Sequence, residues 1–421
     1  MGILLGISTR RRDGMRNVRI GVVALALAVT TAGCTGWTSG KDEPGAVTPP
    51  PPAAADPIRD RVRAMPLEDK IGQMVFAGVD GTEASAEVRR LIADDRVGGL
   101  ILYKDNIESV EQTVRLLNGL KEANREAGAG RPPLLLGVDQ EGGKVSRLPP
   151  QLEPFPSSRD VAKSGDASRA RAIGEALGEE LSALGFNVDF APVLDVDSNP
   201  RNPVIGSRSF GSSASVVASY GVEEMLGLRS KSVVPVVKHF PGHGDTSVDS
   251  HLELPVVNKT ADELRKLELV PFAEAIRSKA DAVMIAHILL PKVDPDRPAS
   301  MSPEIVAGLL RGDMGFDGVV MTDDMTMGAI LKHHDLGAAA VQSAKAGCDI
   351  VLVAHEYANA RLVLDALKEA ARSGELPAES IDRSVYRILS LKERYGLRDG
   401  EVGPVDVAKI NAAIRRATAK P

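Results

Sequence analysis

Eight short apolar runs, each followed by a longer polar or amphipathic stretch, restrict this chain more than any other feature it has. The runs fall at 73–77, 99–102, 134–138, 188–191, 233–237, 282–286, 318–321 and 350–353. They are too short for helices and are bounded by turn-forming residues, so they read as buried strands. Between most of them, residues 85–94, 110–124, 167–184, 213–230, 261–278, 303–311 and 336–346 carry helical periodicity, and 358–373 follows the last run. Strands joined through helices must run parallel, and eight such units close into a single-domain (β/α)8 barrel of the TIM type. An open, doubly wound sheet is the other architecture that this alternation permits. The next helical stretch, 378–394, is expected to pack across the barrel, and 398–421 reads as a short helical tail.

Residues 1–57 stand outside this pattern. Arg10, Arg11, Arg12, Arg16 and Arg19 precede an apolar run at 20–29, and the small residues Thr31, Ala32 and Gly33 lead directly to Cys34. A cationic leader, a short apolar core and small residues before a cleavage point make residues 1–33 a secretory signal. The apolar run is too short to cross a bilayer as a mature helix. Its Ala-Gly-Cys ending resembles the lipobox of bacterial lipoproteins, with Thr31 where leucine is usual. That resemblance implies that Cys34 is lipidated and holds an exported protein on the outer face of the cytoplasmic membrane; cleavage to a soluble secreted protein is the alternative. Residues 34–57 are small, polar and Pro-rich, with prolines at every position from 49 to 52. Such a composition cannot bury enough apolar surface to order itself, so it reads as a disordered tether. Cys34 and Cys348 are the only cysteines, and a lipidated Cys34 leaves a barrel that must be stable without a disulfide. Residues 58–397 are long enough for that. A net charge of −6, with no basic run beyond the leader, excludes the electrostatic footprint of a nucleic-acid binder.

The densest chemistry lies at 238–251, KHFPGHGDTSVDSH, which holds three of the seven histidines. Pro241, Gly242 and Gly244 forbid a helix there, so this is the end of the fifth strand and its loop. In a barrel, reactive groups collect where strands end and the following loops begin. The rule brings together Asp139 after the third strand, Asp195 and Arg208 after the fourth, and Lys238, His239, Asp249 and His251 after the fifth. His287 follows the sixth, and Asp323 and Asp324 the seventh. Singly, each has a plainer reading: Asp195 or Asp324 can cap a helix or satisfy loop amides, and His287 can be a hydrogen-bonded core histidine.

KHFPGHGDTSVDSH, together with VDQEGG, NPVIGSRSFG and MTDDM, resembles the family 3 glycoside hydrolases, and within them the single-domain β-N-acetylglucosaminidases of the NagZ type. The resemblance runs in order from Leu67 to Leu397. It implies a retaining reaction through a covalent glycosyl-enzyme, with Asp323 as nucleophile. It also implies that the acid/base is a histidine, His251, oriented by Asp249. Asp139, Arg208, Lys238 and His239 then match positions that hold the hydroxyls of the terminal sugar, and the three basic residues are expected to balance the charge of Asp323. His243 and Asp245 are expected to shape the loop, and Asp324 to be structural. No cofactor or metal is implied.

Only 3% of residues are aromatic, and the single tryptophan, Trp37, lies in the tether. A long groove of stacked rings is therefore not available, and a small pocket for one terminal sugar fits better. With export, the resemblance implies GlcNAc-containing cell-wall fragments as the substrate of a monomeric enzyme. Three other readings share these residues. An Asp-His pair lets phosphate approach the glycosyl-enzyme without meeting a second carboxylate, which allows a phosphorylase. His239, His243, Asp245, Asp249 and His251 could serve a metal-dependent hydrolase. A noncatalytic sugar-binding lipoprotein would keep the barrel but has no use for both a nucleophile and an acid/base.

Overall fold

The computed structural model describes residues 56–419; the expected signal, nearly all of the expected tether and Cys34 lie outside them. Eight parallel strands form the sheet: β1 (Val75–Gly78), β2 (Gly99–Leu102), β3 (Leu135–Val138), β4 (Val188–Asp189), β5 (Val234–Phe240), β6 (Ala282–Ile285), β7 (Val319–Thr322) and β8 (Val351–Val353). Each pairs with its sequence neighbour, and β1 also pairs with β8, Val75 opposite Val351. The remaining seam, between β7 and β8, closes through a parallel bridge from Met321 to Ile350, where the Asp349 amide donates to the Val320 carbonyl at 2.7 Å. The expected (β/α)8 barrel is therefore the fold.

Side-chain volume explains where the barrel tolerates glycine. Phe76 of β1 and Phe190, just past β4, meet edge-on inside it at 5.6 Å. A Cβ on Gly99 would lie 2.8 Å from the Phe76 ring, and one on Gly137 would lie 2.8 Å from Phe190. Two aromatic rings fill the space that these strand glycines leave, which is why residues poor in strand propensity sit in β2 and β3.

The end of the barrel away from the C-terminal strand ends is covered by helices. Ala378–Arg394 packs on Pro57–Ala64 and on Leu67–Gln73, as expected of a helix crossing the barrel. From it, buried Lys392 donates to Gln73 Oε1 at 2.7 Å and to the Gly98 carbonyl at 2.9 Å. The tail contributes the helix Val407–Thr418, which lies against Ser168–Leu184.

Several elements differ from the sequence expectation, and three of them bear on the site or its surroundings. The first strand begins at Val75, because Gln73 ends the preceding helix. The expected helix over 261–278 is two helices, Ala261–Lys266 and Leu269–Arg277. The break puts Pro271 in the first turn of the second helix, where a missing amide costs nothing. It also buries Glu268, whose Oε1 accepts from Lys259 at 2.5 Å. Finally, β5 continues past Val237 to Phe240, which pairs with Ile285 after a register shift. Lys238 and His239 are thus strand residues rather than loop residues, and their positions are fixed by the sheet.

Candidate active site

The C-terminal ends of β3, β5 and β7 and the loops beyond them enclose a cavity of about 170 Å3. Its lining includes Asp139, Arg208, Lys238, His239, His251, Asp323 and Asp324, so most residues singled out in the sequence are brought to one place, while Asp195, Asp249 and His287 stand behind or beside them.

The floor is an ion cluster. Lys238 is only 2% exposed, and its Nζ donates to Asp139 Oδ1 at 2.5 Å and to Glu141 Oε1 at 2.7 Å. Arg208 grips the same Glu141 with two parallel bonds of 2.8 Å, from Nε to Oε2 and from Nη2 to Oε1. Burial pushes the Glu141 carboxyl upward, but Arg208 and Lys238 outweigh it and hold the group well below the usual carboxylate range. Glu141 stands inside the quoted VDQEGG stretch and was not singled out. A signal was there, since Lys238 at the end of β5 and Arg208 in the loop after β4 need more anionic partners than Asp139 alone once they are buried together.

This arrangement narrows the expected charge balance to His239 among the three basic residues. Arg208 and Lys238 are committed to Glu141 and Asp139, whereas the charges that act on Asp323 come mainly from histidines. Burial raises the Asp323 carboxyl, but the fields of His239 and His287, the Asp324 amide and the field of His251 together bring it below its ordinary value. The Asp324 amide donates to Asp323 Oδ1 at 2.9 Å. Asp323 directly follows β7, and its own amide donates to the Ile285 carbonyl at 2.9 Å, so its backbone is held by the sheet.

Asp195 and His287 are the supports behind this floor. Asp195 Oδ2 lies 2.6 Å from His239 Nδ1, and its Oδ1 accepts from the amides of His239 at 3.3 Å and His243 at 2.7 Å. It therefore orients His239 and satisfies loop amides rather than capping a helix. His287 is buried between Ser300 Oγ at 2.7 Å and the Asp324 carbonyl at 3.0 Å, as a core histidine would be. Asp324 accepts from the amides of Thr326 and Ala354, both at 2.9 Å, which ties the end of β7 to the end of β8.

The loop after β5 carries the remaining groups. His243 packs inside it, with Nε2 at 3.0 Å from Ser250 Oγ and Nδ1 at 2.8 Å from Thr246 Oγ1. Burial and the neighbouring His239 push the His243 pKa down to about 4, so the ring is neutral and structural. Asp245 Oδ2 holds Lys259 at 2.8 Å, again within the loop. Gly242 sits against Glu268, where a Cβ would approach to 2.7 Å. At the tip, His251 Nδ1 lies 2.8 Å from Asp249 Oδ1, and the same oxygen accepts from the His251 amide at 2.9 Å. The bend expected to join these two residues is present. Burial raises the Asp249 carboxyl, but the bonds from His251 outweigh it and hold the group below its ordinary value. The His251 side chain is 63% exposed, at the rim rather than the floor. Its loop docks on the short helix Gly328–Leu331, with Gly328 N donating to the His251 carbonyl at 3.1 Å and Ala329 N to that of Ser250 at 3.2 Å.

Residues 66–391 match the glycosyl hydrolase family 3 N-terminal domain. The chain belongs to glycosyl hydrolase family 3. This family membership makes it a glycoside hydrolase, as the sequence motifs implied. Beta-hexosaminidase LpqI of Mycobacterium tuberculosis is 35% identical over 379 residues, covering 88% of this chain and 94% of that protein. Beta-hexosaminidase A of Pseudoalteromonas piscicida is 35% identical over 336 residues, and the match spans 74% of this chain but only 56% of that relative. Among solved structures, a family 3 beta-N-acetylglucosaminidase from a Paenibacillus species superposes with a TM-score of 0.79 at 43% identity, over 84% of this chain and 68% of that one. The candidate site of this family 3 chain thus has a floor of buried charges and a rim that includes the docked loop carrying His251.

Proposed function

We propose that this family 3 enzyme is an exo-acting, retaining β-N-acetylglucosaminidase that removes terminal β-linked GlcNAc from peptidoglycan fragments such as GlcNAc-MurNAc and their peptide-bearing forms. The observation that carries the reading is the shared pocket. A carboxylate fixed at the end of β7 and a carboxylate-paired imidazole on a rim loop open on one cavity whose floor is lined with buried charges. A cavity of about 170 Å3 is smaller than the roughly 300–1,000 Å3 of drug-sized ligand sites and suits a single sugar. Asp139, Lys238, Arg208 and His239 would hold its hydroxyls, carboxylate accepting and cations donating.

The hydrogen bonds leave one free reactive atom on each side. Asp323 Oδ1 is occupied by the Asp324 amide, so Oδ2 would attack the anomeric carbon. His251 Nδ1 is occupied by Asp249, so Nε2 would give its proton to the leaving oxygen as the glycosidic bond breaks. In the second step Nε2 would take a proton from water as that water attacks the anomeric carbon and releases Asp323. Asp249, kept ionised by its bonds to His251, would hold the ring in the tautomer that each step needs and favour its protonated form. The reading includes an exported monomer anchored through Cys34, supported by the leader and the cysteine that follows it.

The deciding measurement is release of GlcNAc from an aryl N-acetyl-β-glucosaminide and from GlcNAc-MurNAc, in chelator and without phosphate. Native protein is expected to act on both. Asp323→Ala should lose at least about 10^3-fold in kcat, and His251→Ala should be impaired most on the disaccharide, whose leaving group needs a proton. Activity that appears only with added metal or phosphate would replace this mechanism with another. Loss of lipid incorporation in Cys34→Ala checks the anchor.

A further inference from the structure

Two lining residues of the cavity stand apart from the buried floor. His251 is one, and the other is His355, which follows β8 and is also 63% exposed. His355 is assigned to no step above. Its ring lies on Tyr103, beyond β2, with centroids 5.4 Å apart and planes 25° from parallel. Its Nε2 is 3.7 Å from Asp324 Oδ2. Glu356, the next residue, has φ +64°, a left-handed conformation that a side-chain-bearing residue adopts only where its surroundings hold it there. Tyr103 is itself pinned, since its amide donates to Asn106 Oδ1 at 2.7 Å.

The stack is thus a fixed feature built from two loops that the strand order places on either side of β1. One face of the imidazole is covered by Tyr103, and its exposure leaves the other face open at the cavity mouth. A sugar held among Asp139, Lys238 and Arg208 occupies the enclosed part of the cavity. Whatever reaches the rim is the group bonded to that sugar's anomeric oxygen.

We propose that His355, backed by Tyr103, is a leaving-group platform that stacks on the pyranose ring attached to the departing oxygen. This deepens the proposed reaction and rests on it. An imidazole face packs against the apolar C–H face of a sugar as other aromatic rings do, and binding energy at this position lies outside the reacting centre. The chain therefore selects for a sugar leaving group over a small one. With few aromatic residues available, the barrel spends a stacked pair at this one place.

The test compares two substrates sharing the same GlcNAc unit: GlcNAc β-linked to MurNAc, which presents a ring to the platform, and GlcNAc β-fluoride, which presents none. In His355→Ala, the ratio of kcat/KM for the disaccharide to that for the fluoride should fall about tenfold, mainly through KM. In His355→Phe, which keeps a flat ring but no titratable nitrogen, the ratio should return close to the native value. An unchanged ratio in His355→Ala overturns the proposal, and so does a loss in His355→Phe as large as that in His355→Ala, which would assign the effect to the contact with Asp324. Native protein that hydrolyses the fluoride but not the disaccharide also overturns it while leaving GlcNAc recognition intact. Native protein that hydrolyses neither removes the proposed reaction, and the platform with it.

Discussion

Glu141 shows how the floor can be taken apart one charge at a time. It is shared by Arg208 and Lys238, so replacing it with glutamine leaves buried Arg208 facing a neutral amide and Lys238 with Asp139 alone. Breaking a buried pair from one side costs about 3–5 kcal/mol. Glu141→Gln should therefore lower kcat/KM by at least about 10^2-fold, through KM more than kcat, because Asp323 and His251 do not touch it. Steady-state kinetics on an aryl N-acetyl-β-glucosaminide, beside thermal unfolding, separates that effect from loss of the fold. At this scale the sequence was informative about residues whose type is itself unusual for a strand end: Asp139, Lys238, His239 and Asp323 all line the cavity. It did not single out Glu141 or His355, since each acquires its role from a partner far away in the chain, at Arg208 and Lys238 for one and at Tyr103 for the other.

At the scale of elements, strands were easier to read than their ends. Periodicity identifies a buried run, but where β5 stops depends on its pairing with β6 through Phe240, which local composition does not encode. The broken helix at Leu267 has the same origin, because burial of Glu268 beneath Lys259 is a tertiary demand. The loop that carries His251 is held by backbone bonds to Gly328 and Ala329, and a Cβ at Gly328 would come within 2.7 Å of the His251 carbonyl and 2.8 Å of that of Leu252. Gly328→Val should push the loop off its seat without touching the floor. Its expected signature is a kcat loss of about 10-fold or more, with the Kd of GlcNAc itself within about twofold of native. Calorimetric titration beside kinetics distinguishes this from general destabilisation, which would weaken both.

Over the whole molecule, buried carboxyls behind the site tie stability to pH. Glu180 and Glu224 are pushed up to about 8 by burial, and Asp189 is raised well above its ordinary value for the same reason. Their folded-state values exceed those of the unfolded chain, so between the two the folded protein holds protons that the unfolded chain has released. Their contribution to stability should therefore fall as pH rises from about 4.5 to about 8, by up to about 1.4 kcal/mol per pH unit for each group, against the opposite contribution of buried His243, whose folded value of about 4 lies below that of the unfolded chain. In urea unfolding across this range, the stability of Glu224→Gln relative to native protein is expected to rise with pH, because the variant lacks one of these acids. Nothing in the sequence set these three acids apart from surface acids, because their character comes only from being enclosed. The barrel itself was legible, since its eight-fold alternation is a property of the chain and does not depend on which residues meet.

The division between a sheet-held floor and an exposed rim has a consequence for inhibition. An inhibitor shaped only like the terminal sugar would meet side chains locked by mutual ion pairs, and gains or losses of single atoms there would be felt sharply. An inhibitor extended past the anomeric position would instead meet His251 on a docked loop and His355 on an open face, where substituents of different bulk can be accommodated. Potency would be decided in the first region and selectivity tuned in the second.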